Sequence, residues 1–133
     1  VTESNLTPFV QHLLNAFKSG DAEALIAACA EDVTGYIPGP DVIPFAGHVK
    51  GRDAVREYFD MMPKTFDTLE YEIHSVVAQG SKVVINGHEV GKVKATGKTF
   101  DNHWVIVFTI HDDIITDVFE YHDTAALAEA FTP

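Results

Sequence analysis

From Phe66 onward the hydrophobic period of this chain changes from helical to two, and it stays there almost to the end. LEYEIHSVVA, KVVINGHEVGKVKA, TFDNHWVIVFTI and DIITDVFEYHD read as four long strands, with turns at Gly80 and at His111-Asp112-Asp113. Long strands joined by tight turns form an antiparallel meander, and its apolar face must be covered by something else. The segment before it supplies the cover. Thr7 can cap a first helix, Pro8 suits its first position and Gly20 follows its end. Phe9, Val10, Leu13, Leu14 and Phe17 form that helix's core face, and Asp21 caps a second, short helix carrying Leu25 and Ile26. Residues 31–51 read as a short strand and a loop rich in Pro and Gly. A third helix starts near Arg52, puts Val55, Tyr58, Phe59 and Met62 on one side, and has Pro63 near its end. A last Ala-rich helix, capped by Asp123 or Thr124, runs to about Phe131. This order predicts an α+β fold: one domain over residues 1–133, with helices on one face of a curved antiparallel sheet.

Alternation then assigns residues to faces. Lys82, Lys92 and Lys94 share a parity with His88, and lysine is rarely buried, so Val83, Ile85, Gly87, Glu89, Gly91 and Val93 face inward. Gly87 and Gly91 flank Glu89 without side chains, which predicts either empty space or close approach of another group. In the next strand the bulky set Asn102, Trp104, Ile106, Phe108 and Ile110 lines the core. In the last, Asp117 wants solvent, which sends Phe119 and Tyr121 outward and Val118, Glu120 and His122 inward. A carboxylate on the buried face is costly unless it is paired or used.

Charge and composition narrow the function. The formal charge of −11 over 133 residues argues against nucleic acid and anionic membranes, which call for a basic surface. No apolar run approaches membrane-spanning length, and VTESNLTPFV has neither the basic nor the long apolar region of a signal peptide. The single cysteine, Cys29, rules out an intrachain disulfide. It lies in an Ala-rich helical stretch and reads as a buried, inert thiol in a reducing setting, so a cytoplasmic protein is expected. There is no H-E-x-x-H, no Cys/His set, no phosphate-binding Gly-rich loop and no nucleophile elbow, so neither a metal nor a cofactor is expected. Among the histidines, His12, His74 and His111 are read as surface groups.

FKSGDAEALIAACAEDV, PFAGHVKGRDAVREYF and the meander ending in FEYHDTAALAEAF together resemble the SnoaL-like branch of the nuclear-transport-factor-two-like superfamily. The resemblance covers nearly the whole chain. It implies a cone whose curled sheet and helices enclose a deep apolar pocket, and a homodimer through the convex sheet face. The convex residues here would be Val105, Val107, Phe119 and Tyr121, apolar enough to mark a partner surface. Two family chemistries fit poorly. The Asp-Arg-Asp set of limonene epoxide hydrolases has no counterpart on the strands, since the only arginines, Arg52 and Arg56, are helical. The ketosteroid isomerase base falls where this chain has Tyr36 and Ile37, with Asp41 only in the loop.

What remains is a pocket with Glu120 and Glu89 on its walls. Two carboxylates in one apolar cavity cannot both ionise cheaply, so one becomes an acid and the other a base. The candidate catalytic set is Glu120, Glu89, Tyr36 and His48, the last in the loop at the expected mouth. Tyr58, Phe59, Met62, Asn102, Trp104, Ile106, Phe108, Val118 and His122 would bind a small, mostly apolar molecule. Glu120 would remove a proton beside a carbonyl, and Tyr36, Tyr58 or Asn102 would hold the oxyanion. Isomerisation, ring closure and dehydration all begin with that step. A non-catalytic binding protein for an apolar ligand, and a dimerisation module with a vestigial pocket, are the alternatives.

Overall fold

The structure, a computed structural model, describes residues 6–133; the first half of VTESNLTPFV, read above for a leader, lies outside the described residues. The elements follow as α1 (Pro8–Ser19), α2 (Ala22–Ala27), β1 (Cys29–Ile37), β2 (Gly47–Lys50), α3 (Arg52–Thr65), β3 (Phe66–Gln79), β4 (Lys82–Val93), β5 (Thr99–His111), β6 (Ile114–Tyr121) and α4 (Thr124–Phe131). Local chemistry sets the helix ends. The Thr7 hydroxyl accepts from the Val10 N–H at 3.2 Å, and Gly20 closes α1 in the left-handed region at φ 69°. Asp21 caps α2 through the Ala24 N–H, and Asp123 caps α4 through the Ala126 N–H, each at 3.1 Å.

The strands form one curved, unclosed sheet of six in the order β2-β1-β6-β5-β4-β3. It is antiparallel except where β1 runs parallel to β6, with Gly35 beside Val118 and Tyr36 beside Phe119. A parallel pair needs a long crossover, and here nearly the whole chain between the two strands provides it. The expected loop over 31–51 contains β2, whose four residues are too few to show alternation and which forms by pairing His48 with Tyr36 and Val49 with Gly35 on the free edge of β1. Cys29 belongs to β1 rather than to a helix. Its thiol is buried and donates to the Leu25 carbonyl at 3.3 Å, and burial pushes its pKa up.

Leu13 and Leu14 of α1, with Leu25 of α2, pack on Val83, Ile85, Trp104 and Phe108, which makes this the concave, helix-covered face. Burying each such leucine is worth about 1.5–3 kcal/mol, enough to hold α1 in place. A second cluster seats α4, through Leu127 and Ala130, against Ile37, Phe45, Phe66 and Phe100 at the other end. Arg52 ties α3 to the start of β1, donating through Nε and Nη2 to the Cys29 carbonyl at 2.9 and 2.7 Å. The edge strand β3 carries two bulges, between Thr68 and Glu70 and between Ile73 and Ser75. Among the described residues no helix is long and apolar enough to cross a membrane.

Candidate active site

Glu120 faces the concave side, opposite Ile106 in the sheet, and its side chain is only 14% exposed. Its surroundings form a chain of hydrogen bonds that begins at the turn into α4. The backbone N–H of Asp123 donates to Asn102 Oδ1 at 2.9 Å, which fixes the amide so that Nδ2 meets His122 Nδ1 at 2.8 Å. An amide nitrogen can only donate, so Nδ1 accepts and the ring proton sits on Nε2. That proton points to Glu120 Oε1 at 3.3 Å, and the Tyr58 hydroxyl donates to the same oxygen at 3.1 Å. Burial, and then the neighbouring Glu120 carboxylate, hold the Tyr58 pKa well above the ordinary phenol range, so the hydroxyl keeps its proton. Glu120 Oε2 has no protein partner among the described residues, and Glu120 borders open space.

That space is two neighbouring cavities that share part of their walls. The larger, of about 340 Å³, is bordered by both Glu120 and Glu89, by Trp104, Tyr71 and Thr68, and by Phe59 and Met62 of α3. The smaller, of about 70 Å³, is almost wholly apolar and runs past Val118 and Phe108 to Leu25 and Val33. Phe17, Tyr58, Phe59, Ile106 and Glu120 border both, so Glu120 stands at the junction. Glu89 lies opposite Asn102 on one side and Tyr71 on the other. Burial pushes its pKa up, and the Glu120 charge adds to this; the Thr68 hydroxyl, donating at 3.0 Å, and His122 oppose it.

Trp104 is 3% exposed, and its indole N–H is the one buried side-chain polar group without a partner among the described residues. The ring reaches its position because Gly87 has no side chain: a Cβ there would lie 2.5 Å from the indole and 2.2 Å from the Glu72 carbonyl. A Cβ on Gly91 would lie 2.3 Å from the Phe100 ring. The glycines beside Glu89 therefore admit aromatic rings from β5.

Three expected site residues are placed elsewhere. Tyr36 borders the smaller cavity, but its ring stacks on His48 at 4.2 Å and meets Phe119 edge-on at 5.9 Å, on the convex side. Strand alternation causes this, since Val33 and Ile37 of β1 take the inward positions. His48 is exposed and, paired with Tyr36, shares that outer face, so neither ring reaches Glu120. Asn102 is fully buried behind His122 and borders neither cavity; its amide positions the imidazole. Conversely, Tyr71, Thr68 and Phe17 belong to the cavity wall and were not expected there. The bulge at Leu69 lets both Thr68 and Tyr71 face inward despite their odd spacing, and Tyr71 stacks on Trp104 at 5.6 Å. Phe17 was legible only as part of the core stripe of α1.

The fold has many relatives among solved structures. An NTF2-like protein from Burkholderia xenovorans LB400 is 34% identical, with 93% of each chain covered and a TM-score of 0.81. TerC, co-crystallised with polyporic acid, is 21% identical over 94% of this chain and 98% of its own, with a TM-score of 0.78. A protein with a ketosteroid isomerase-like fold from Catenulispora acidiphila DSM 44928, in complex with trimethylamine, is 18% identical over 96% of each chain, with a TM-score of 0.73. No curated protein matches the chain. The family model of the SnoaL-like domain matches residues 10–118, from α1 into β6, and the chain belongs to that family.

Proposed function

We propose that the chain is a cofactor-independent enzyme of the isomerase or cyclase type, acting on a small, mostly apolar carbonyl compound. The observation that carries this reading is the asymmetry of Glu120: Oε1 accepts two hydrogen bonds, while Oε2, beside a cavity, has no protein partner among the described residues. Oε2 takes the proton from the carbon next to the substrate carbonyl, and the Tyr58 and His122 donors keep the carboxylate oriented. The oxyanion forms beside Glu89 in the larger cavity, where the Glu89 carboxyl donates when it carries a proton, a form that burial favours. Glu89 replaces Tyr36 and Asn102 in that role. Returning the proton to a different carbon gives isomerisation, and attack of the enolate on a second carbonyl gives ring closure. Proton exchange into a cyclic enolisable ketone in D2O, followed by NMR, tests the step. Exchange that is catalysed by the wild-type chain and lost in a folded Glu120→Gln variant supports it; equal exchange by both overturns it.

A binding function without turnover is the second reading, favoured by the aromatic wall of Trp104, Tyr71, Tyr58 and Phe17 around the two carboxylates. Saturable ligand binding with no exchange in the wild-type chain would establish it. We further propose a homodimer through the convex face, where Tyr121 is exposed and Phe119, Val105 and Val107 are only half-buried. Sedimentation at micromolar concentration tests this, with Tyr121→Lys expected to shift the chain to monomer.

A further inference from the structure

Three histidines that are far apart in sequence meet on the convex face. His88 of β4 lies directly across from His103 of β5 and from Glu72 of β3. His74 is the extra residue of the bulge between Ile73 and Ser75, and a bulge re-aims the side chain that it carries. The ring centres of His88 and His103 are 4.7 Å apart, and the His74 ring lies 6.2 and 6.3 Å from them. Asp101 is hydrogen-bonded to His88 Nε2 and lies 3.7 Å from His103 Nε2, while Glu72 lies 3.8 Å from His74 Nε2. The donor atoms of His88, Asp101 and His103 all fall within 4.8 Å of one another, as do those of Glu72, His74 and His88.

Two imidazoles bound to one ion at about 2.1 Å have ring centres roughly 4.5–5.5 Å apart, and His88 and His103, at 4.7 Å, already have that spacing. A convex strand position needs no imidazole for folding; threonine or lysine would serve. The strongly negative charge of the chain favours a cation, and an imidazole-rich set with one carboxylate selects zinc, nickel or copper over calcium or magnesium. We propose that this patch is a first-row transition-metal site in which His88, His103 and Asp101 bind the ion, with His74 beside them. Metal-ligand spacing in the sequence does not reveal it, because the ligands are neighbours across strands.

The test uses the chain free of any histidine tag, stripped with chelator and titrated with Zn2+ alone by calorimetry and with Co2+ alone by visible absorption. One ion per chain at micromolar affinity or tighter is expected, with ligand-field bands from Co2+. His88→Gln with His103→Gln should weaken binding at least tenfold, and Asp101→Asn, at an exposed position, should weaken it in a chain whose fold is undisturbed. His12→Gln with His111→Gln should leave it unchanged. Absence of saturable binding in the wild-type chain, or binding that survives the convex variants and is lost in His122→Gln, overturns the proposal.

Discussion

The two faces of the central strands carry the same chemical pair in opposite surroundings. Inside, His122 donates to Glu120, and the imidazole side chain is 7% exposed. Outside, His88, itself 16% exposed, meets Asp101, whose carboxylate is 66% exposed. The concave pair is held away from bulk water: Asn102 stands behind the ring, Tyr58 donates to the shared oxygen, and apolar walls surround both. The convex pair has water as its competitor. A carboxylate–imidazole contact is worth little where water screens it and a great deal where water is excluded, because the low dielectric strengthens the contact and punishes its loss. Burial, then, turns one into a candidate catalytic pair and leaves the other open to an outside ligand.

The largest expected effect breaks the concave side. Glu120→Gln keeps the shape and the hydrogen bonds from Tyr58 and His122 but cannot take a proton, so ketone proton exchange should fall by about a hundredfold or more. Unchanged exchange in that variant, with wild-type melting, would mean that burial has made nothing catalytic of this pair. Next comes Asn102→Leu. It leaves the Asp123 N–H and His122 Nδ1 without partners in the interior, a cost of roughly 2–4 kcal/mol read by urea unfolding. Gly87→Ala should cost about 1–3 kcal/mol by pressing on Trp104 and the Glu72 carbonyl, and it should also shift the tryptophan fluorescence. On the convex side, His88→Gln in metal-free protein should move stability by no more than about 1 kcal/mol. A larger loss there would erase the contrast between the faces.

The gentlest test is a gain. Burial holds the Glu89 carboxyl above its ordinary value of 4.5, so the folded state keeps that proton more tightly than the unfolded state does. The contribution of this group to stability is therefore fully present below the unfolded value and is lost as pH rises through the raised one. Glu89→Gln removes the loss. Its melting temperature should exceed that of the wild-type chain at neutral pH, and the two should converge near pH 4. A deficit that grows as pH rises and disappears near pH 4 would show that Glu89 is structurally required in its ionised form.

Alternation was enough to place Glu120, Glu89 and Trp104 on one face, because Asp117, Lys82 and Lys92 each fix the parity of a whole strand. It could not place what depends on irregularity or on the chain's return to itself. Tyr71 and His74 owe their directions to bulges, which no period announces. Tyr36 reads as a pocket residue, although the inward positions of β1 go to Val33 and Ile37, and His48 reads as a mouth residue because the strand β2 that carries it is too short to recognise. Asn102 reads as an inward polar residue, and only the structure shows that its amide serves the imidazole. The histidine patch is invisible for a related reason: register between strands brings it together.

One detail of the concave network bears on how this protein can change over time. Asp123 has two tasks, and they use different parts of the residue. Its side chain begins α4, whereas the contact with Asn102 comes from its main chain. Any residue able to start a helix can take that position, and the amide that sets the ring proton of His122 will still be there. Proline alone would delete it. The proton arrangement beside Glu120 is in this way insulated from drift at position 123, and the surface of the last helix is free to diversify while the chemistry next to it is inherited unchanged.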